Sequence, residues 1–169
     1  MAKRSVSHKT ITPTATADTT NLVDSTYPLA IQGGSSTQRI NVSEVFLGGQ
    51  AGASSPTIMT LGRDSTVGAT LTSDTNLLDA AIDPATVALA APPVTFNKAT
   101  TKPQRSATLG GLLNLSFNAF GGIVRWVAPD PTCYIVMLGN TASFGELSLS
   151  AFTGGTAGLL GCHVIYESL

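Results

Sequence analysis

Leu112-Leu113-Asn114-Leu115-Ser116-Phe117-Asn118-Ala119-Phe120 is the most regular passage of the chain. Leu113, Leu115, Phe117 and Ala119 fall on one side of an extended backbone and Asn114, Ser116 and Asn118 on the other, the period of a strand with one face in a core. Working outward, Ile123 to Val127 follows across Gly121-Gly122 at a hairpin-like spacing. Cys133 to Leu138 comes after the turn Pro129-Asp130-Pro131 and is apolar throughout, which reads as a central strand. Glu146 to Ala151 alternates through Leu147 and Leu149, and Leu160 to Glu167 sets Cys162, Val164 and Tyr166 on one side. Upstream, Pro56 opens the run Thr57 to Leu61, and Gln38 to Leu47 places Ile40, Val42 and Phe46 on one face before Gly48-Gly49 stops it. Glu44 interrupts that inward series, so a β-bulge that turns it outward is expected, because an isolated buried charge is very costly. About eight short strands, closed by Gly, Pro, Asn or Asp, leave no room for βαβ units. The fold class is all-β: an antiparallel two-sheet sandwich, with a jelly roll as the expected arrangement.

Two stretches depart from this pattern. Between Asp64 and Lys102 the period of two fades, and Ser73 to Ala91 is rich in Ala, Leu and Asp around Pro84. A long connection with a short helix is expected there, capped by Ser73 or Asp74, pressing Leu77, Leu78, Ala81 and Ile82 on the body and ended by Pro84. Residues 1–26 are the other stretch, with Lys3, Arg4 and Lys9 followed by Thr10, Thr12, Thr14, Thr16, Thr19, Thr20 and Thr26, and almost nothing large and apolar before Leu22. Such a segment cannot bury enough surface to offset the entropy of ordering itself. It reads as an extended N-terminal arm on a sandwich domain of residues 27–169. Fully stretched it reaches ~85 Å at ~3.3 Å per residue, against a radius of gyration near ~15 Å for the body. It can therefore cross a neighbouring subunit.

At 169 residues, one core is expected. The chain is 43% hydrophobic but only 11% charged, so Ser, Thr, Asn and Gly must finish its exterior, which suits contact with other protein. A formal net charge of −1 offers no global field for nucleic acid or an acidic membrane. Lys3, Arg4 and Lys9 read first as solvated charge; they are too few for firm phosphate binding, and an acidic patch on a partner protein is the next reading, ahead of nucleic acid. No apolar run approaches the ~20 residues of a membrane span, and no signal-peptide core follows Lys9, so synthesis in a cytoplasm is expected.

Little chemistry can be nominated. The two histidines are His8, in the arm, and His163, which alternates outward on the last strand; no nucleophile has an evident base and orienting group. Cys133, Cys162 and His163 make an incomplete zinc set, and both cysteines read as small buried hydrophobes. Glu44 and Glu146 are a conceivable but weak glycosidase pair, while Asp74, Asp79 and Asp83 look like caps and turn formers. The pairs Gly33-Gly34, Gly48-Gly49, Gly110-Gly111, Gly121-Gly122 and Gly154-Gly155 lack the spacing and lysine of a phosphate loop and read as turns. No catalytic residue, cofactor site, metal site or small-molecule substrate is assigned.

Gln38-Arg39-Ile40-Asn41-Val42-Ser43-Glu44-Val45-Phe46-Leu47-Gly48-Gly49, with Thr101-Lys102-Pro103-Gln104-Arg105-Ser106 and Leu138-Gly139-Asn140-Thr141, resembles the small virion proteins of tailed bacteriophages, specifically jelly-roll head decoration or cement proteins. The resemblance covers most of the body and carries over no single functional residue. It implies a non-enzymatic structural protein on a capsid surface, a homotrimer or similar cluster, with the major capsid protein as partner. The expected contacts are Lys3, Arg4, Lys9, Thr12, Thr14 and Leu22 of the arm and Leu77, Leu78 and Ile82 of the long connection. Two other readings stay open: a receptor- or carbohydrate-binding sandwich with Trp126 or Tyr134 as a stacking platform, and a shell-forming coat subunit.

Overall fold

A computed structural model describes residues 2–15, 21–24, 26–85, 88–107, 111–139, 145–152 and 158–169. Thr16, Thr19, Thr20, Gly110, Asn140, Thr141 and the Gly154-Gly155 pair lie outside the described residues. The strands are β1 (Ala2–Ile11), β2 (Leu29–Gln32), β3 (Arg39–Gly49), β4 (Pro56–Thr66), β5 (Ala69–Thr72), β6 (Leu77–Ala81) and β7 (Val94–Phe96). They continue as β8 (Lys98–Thr101), β9 (Gln104–Arg105), β10 (Leu113–Asn118), β11 (Ile123–Val127), β12 (Ile135–Leu138), β13 (Glu146–Ala151) and β14 (Leu160–Ser168). The molecule is the expected antiparallel two-sheet sandwich.

The first sheet runs β11-β3-β14-β1-β6, with β12 also on β3; the second runs β10-β4-β13-β2-β7, with β9 also on β4. Compared position by position, the two orders pair consecutive strands: β10 with β11, β3 with β4, β13 with β14, β1 with β2, β6 with β7. The chain therefore changes sheet at almost every step instead of turning back beside itself. Between the sheets lies a core that includes Val6, Leu29, Ile31, Ile40, Val45, Leu61, Leu147, Leu149 and Val164.

This wrapping corrects the hairpin expected at Gly121-Gly122. β10 and β11 join different sheets, and the glycines form the arch between them. Gly121 has φ +69°, a left-handed conformation that costs glycine little. The Gly122 amide donates to the Asn118 carbonyl at 2.9 Å, and a Cβ at Gly122 would lie 2.0 Å from that same oxygen. Backbone would have to move, so Gly122→Ala is expected to destabilise the fold by about 2 kcal/mol or more. The check is the urea midpoint at unchanged m-value.

Glu44 behaves as the bulge argument requires. The register of β3 on β14 shifts between Ile165 and Tyr166, which face Glu44 and Val42, so Ser43 is the extra residue. The shift also reverses the alternation beyond it. Val45 and Leu47, not Phe46, enter the core, and Phe46 stands on the outer face.

The extended arm is the largest correction. Residues 2–11 form β1, inserted between β14 and β6 in the interior of the first sheet. Val6 and His8 are buried, and Leu22 lies fully inside a second apolar cluster with Tyr27, Ala30, Phe96 and Ala99. Backbone pairing along both edges, rather than apolar mass, orders this polar segment.

The helix expected in the long connection is likewise absent among the described residues, where 64–102 contributes the end of β4 and strands β5 to β8. Asp74 does cap a turn, accepting from the amides of Asn76 at 2.8 Å and Leu77 at 3.2 Å, but the chain leaves it as β6 along β1. Leu77 then points inward and Leu78 outward. Cys133 to Leu138 is not central: Pro131–Cys133 is a single 3₁₀ turn, and β12 is an edge strand beside β3. Cys133 is exposed and Cys162 buried, both as free thiols, so only the latter fits the reading of a small core residue. No helix of the described residues is long and apolar enough to cross a membrane.

Candidate functional site

The outer faces of the two sheets differ. Over the second sheet, residues 21–24 and 26–28 with β8 form a covering layer, which β9, paired to the end of β4, joins to the sheet. The Leu22 amide donates to the Pro103 carbonyl at 2.7 Å, Asn21 bridges to Gln104, and Leu22, Tyr27 and Phe96 pack on Ala30. As a result β13 is buried on both faces. The first sheet has no such cover among the described residues.

Its bare face carries Leu78 of β6 (47% exposed), Ile123 and Val127 of β11 (70% and 48%), and Phe46 between them, with Ile82 (49%) just beyond β6. Large aliphatic side chains left to solvent on one face are a usual mark of a contact surface. Gly48 and Gly161 stand opposite each other on β3 and β14, and Ile123 pairs with Gly48. With no side chains there, the sheet is hollowed into an open pocket of about 430 Å³ bordered by Phe46, Ile123, Ser5, Ser7 and His163.

At the pocket wall Ser5 Oγ and His163 Nε2 are 2.6 Å apart. Among the described residues no acid hydrogen-bonds the other ring nitrogen of His163. The nearby Glu44 carboxylate is held by Arg125 at 2.8 and 2.9 Å, and that guanidinium keeps it below the usual carboxylate range. β1, β14 and β3 are interior strands whose amides are committed to their ladders, so no oxyanion donors are spared for acyl transfer. The pair is a polar contact on the face.

The expected contact residues divide. Lys3 (ion-paired to Glu167 at 3.4 Å), Lys9, Thr12, Thr14, Leu78 and Ile82 are at the surface. Arg4 turns inward to Asp79 at 3.1 Å, where Tyr166 also donates at 3.1 Å, and Leu22 and Leu77 are buried. His8, placed in the arm from sequence, is enclosed beside Asp74 and Asn97. Burial of Asp74 is outweighed by hydrogen bonds from Asn97, the Asn76 amide and His8, which hold its carboxyl at about 2. Trp126 packs against the core rather than offering an open stacking face. Glu44 and Glu146 do not converge: one stands on the bare face, the other beneath the layer that covers the second sheet. Among the described residues no group of three or more His, Cys, Asp or Glu is placed to hold a metal ion.

Sequence reading missed one polar cluster altogether. Under the covering layer, Asp64 of β4, Glu146 of β13 and Arg105 of β9 are all at most 1% exposed. Arg105 Nη2 donates to the Ser148 carbonyl (3.0 Å), Ser148 Oγ (2.9 Å) and Ser150 Oγ (2.7 Å), and Nε lies 3.4 Å from Asp64. Ser148 donates to Asp64 at 2.8 Å, and Glu146 accepts from the Gly68 amide (2.9 Å) and Gln32 (3.1 Å). The signal was present in part: Glu146, Ser148 and Ser150 share one face of an alternating strand.

No protein-family model and no curated protein matches the chain. Among solved structures it is similar to one titled as that of deformed wing virus, a honeybee pathogen, at 8% identity and a TM-score of 0.31, over 96% of this chain and 77% of that one. A likeness at that level carries no argument about fold or function. What the described residues define is a β-sandwich with one outer face covered by its own chain and the other without such a cover among them.

Proposed function

We propose that this protein is a structural, non-enzymatic component of a virion, of the capsid decoration or cement kind, which binds an assembled shell through the bare face of its first sheet. The observation that carries the reading is the asymmetry between the faces. The chain spends a whole layer, including Leu22, Tyr27 and Ala99, on covering the second sheet, yet leaves Leu78, Ile82, Ile123 and Val127 open on or beside the first. A nearly uncharged surface of this kind suits protein partners, here the major capsid protein and further copies of this chain, as in a trimer. Repetition over a lattice strengthens contacts that are individually slight. The resemblance noted in the sequence points the same way and carries with it the jelly-roll assignment and a place on the capsid surface. Contact through a long free arm does not form part of this reading, because residues 2–11 are engaged in the sheet.

The test is cosedimentation of the purified protein with empty capsids of the virus that encodes it. The double variant Leu78→Asp, Ile123→Asp should stay within about 0.5 kcal/mol of the parent in stability, since both positions are exposed. It should also lose sedimentation with the capsids. Undiminished binding by a folded double variant rejects the face as the contact surface.

A further inference from the structure

We propose that Asp64 and Glu146 hold one proton between them and, together with Arg105, form an alkali-sensitive clasp that keeps the covering layer closed over the second sheet. The geometry is specific. Each carboxyl has one buried oxygen, Asp64 Oδ2 and Glu146 Oε1, that no donor satisfies, and the charge of Asp64 bears directly on Glu146, so a proton held by one of the two acids relieves both. The remaining oxygens are taken: Asp64 Oδ1 by Ser148 and Arg105, Glu146 Oε2 by Gly68 and Gln32. One guanidinium cation beside a carboxyl pair carrying one proton makes a neutral cluster, the form that burial tolerates.

The clasp spans the elements it would fasten. Arg105 lies on β9, the short strand that leads out of the covering layer and pairs with the end of β4 opposite Asp64, while Glu146 lies on β13. The other groups facing the cluster are Gln32 of β2 and, from residues 21–28, Tyr27 and Asp24, the latter paired outward with Lys102. The Tyr27 hydroxyl is itself pushed up by burial, then by the charges of Asp24, Glu146 and Asp64, so it stays protonated where the pair titrates. Burial, then the charge of Asp64, pushes Glu146 up to about 9 from an ordinary value of 4.5. A raised acid binds more protons in the closed form than in the opened one. Closure is therefore strongest below about 4.5, weakens as pH rises, and levels off above about 9.

Trypsin provides the readout, because Arg105 becomes cleavable only when the layer lifts. Cleavage after Arg105, normalised to a free peptide of residues 98–106, is expected to rise roughly tenfold per pH unit from 7 to about 9 and then flatten. Cleavage after Arg39 in β3 should stay low throughout. In Glu146→Gln the amide can donate to Asp64 without a titrating proton, and the rise should vanish. A flat wild-type profile overturns the proposal. So does an unchanged rise in Glu146→Gln, or cleavage at Arg39 rising in step with Arg105. Should Glu146→Gln fail to fold, the carbon-13 carboxyl resonance of Glu146 in the wild-type protein decides: titration near pH 9 supports the clasp, and titration near the ordinary 4.5 overturns it.

Discussion

Removal of residues 2–11 is expected to abolish the folded state. β1 is a rung between β14 and β6, with register partners from Ala2–Ser168 to Ile11–Leu160 on one side and Arg4–Ala81 to His8–Leu77 on the other. Without it β6 loses the strand to which it pairs, β14 acquires an unpaired edge, and the core loses Val6. Stripping one ladder edge of a long strand leaves a row of amides and carbonyls to be satisfied by water or by another chain. The whole stability of a domain is only about 5–15 kcal/mol, and loss of an interior strand exceeds what such a margin can absorb. The truncated chain should show no cooperative thermal transition and poor dispersion in its amide proton spectrum. A truncated protein that melts cooperatively within a few degrees of the full chain would mean that residues 2–11 are dispensable to the sandwich.

The second large effect is expected at Arg105. Arg105→Met removes the cation of a buried cluster and leaves two carboxyl groups with the net negative charge that the guanidinium had balanced. Deleting one partner of a buried ion pair typically costs about 3–5 kcal/mol, a large share of the total. Arg105→Lys restores the charge but not the planar fork that meets the Ser148 carbonyl and two serine hydroxyls, so it should recover only part of the loss. Urea denaturation at neutral pH measures both. A methionine variant within about 1 kcal/mol of the parent would show that the cluster is not balanced by Arg105.

What could be read from the sequence was the half-buried strand. β10 and β14 alternate cleanly because each packs one apolar face on the core, and β13 alternates in the same way although its polar face is buried as well; the inward residues are those the alternation gives. Glu44 announced the bulge but not its consequence, because a shift of one residue exchanges the faces of everything beyond it. β1 was illegible for a different reason. Its inward side chains are Arg4, Val6 and His8, and the polar two are accommodated by Asp79, Asp74 and Asn97 supplied from distant positions. Composition alone therefore resembled a solvated leader. Leu77, Leu78, Ala81 and Ile82 fit a helical stripe, and only the strand waiting in β1 decides against it. The bare face escaped notice since Leu78 and Ile123 belong to strands whose sheet order no local pattern announces, and the Asp64–Arg105–Glu146 cluster did so because its lid comes from β9.

Because β1 closes against β14, a strand made early must wait for one made about 150 residues later. While residues 160–168 are still unmade, a nascent chain has no completed first sheet, and its leading segment has only β6 to lie beside. Contacts that tie the two termini together carry the largest loop-closure cost and form late. Completion of the first sheet is thereby postponed until residues 160–168 have been made, and during that interval β1 and the groove meant for it are both open to a neighbouring chain.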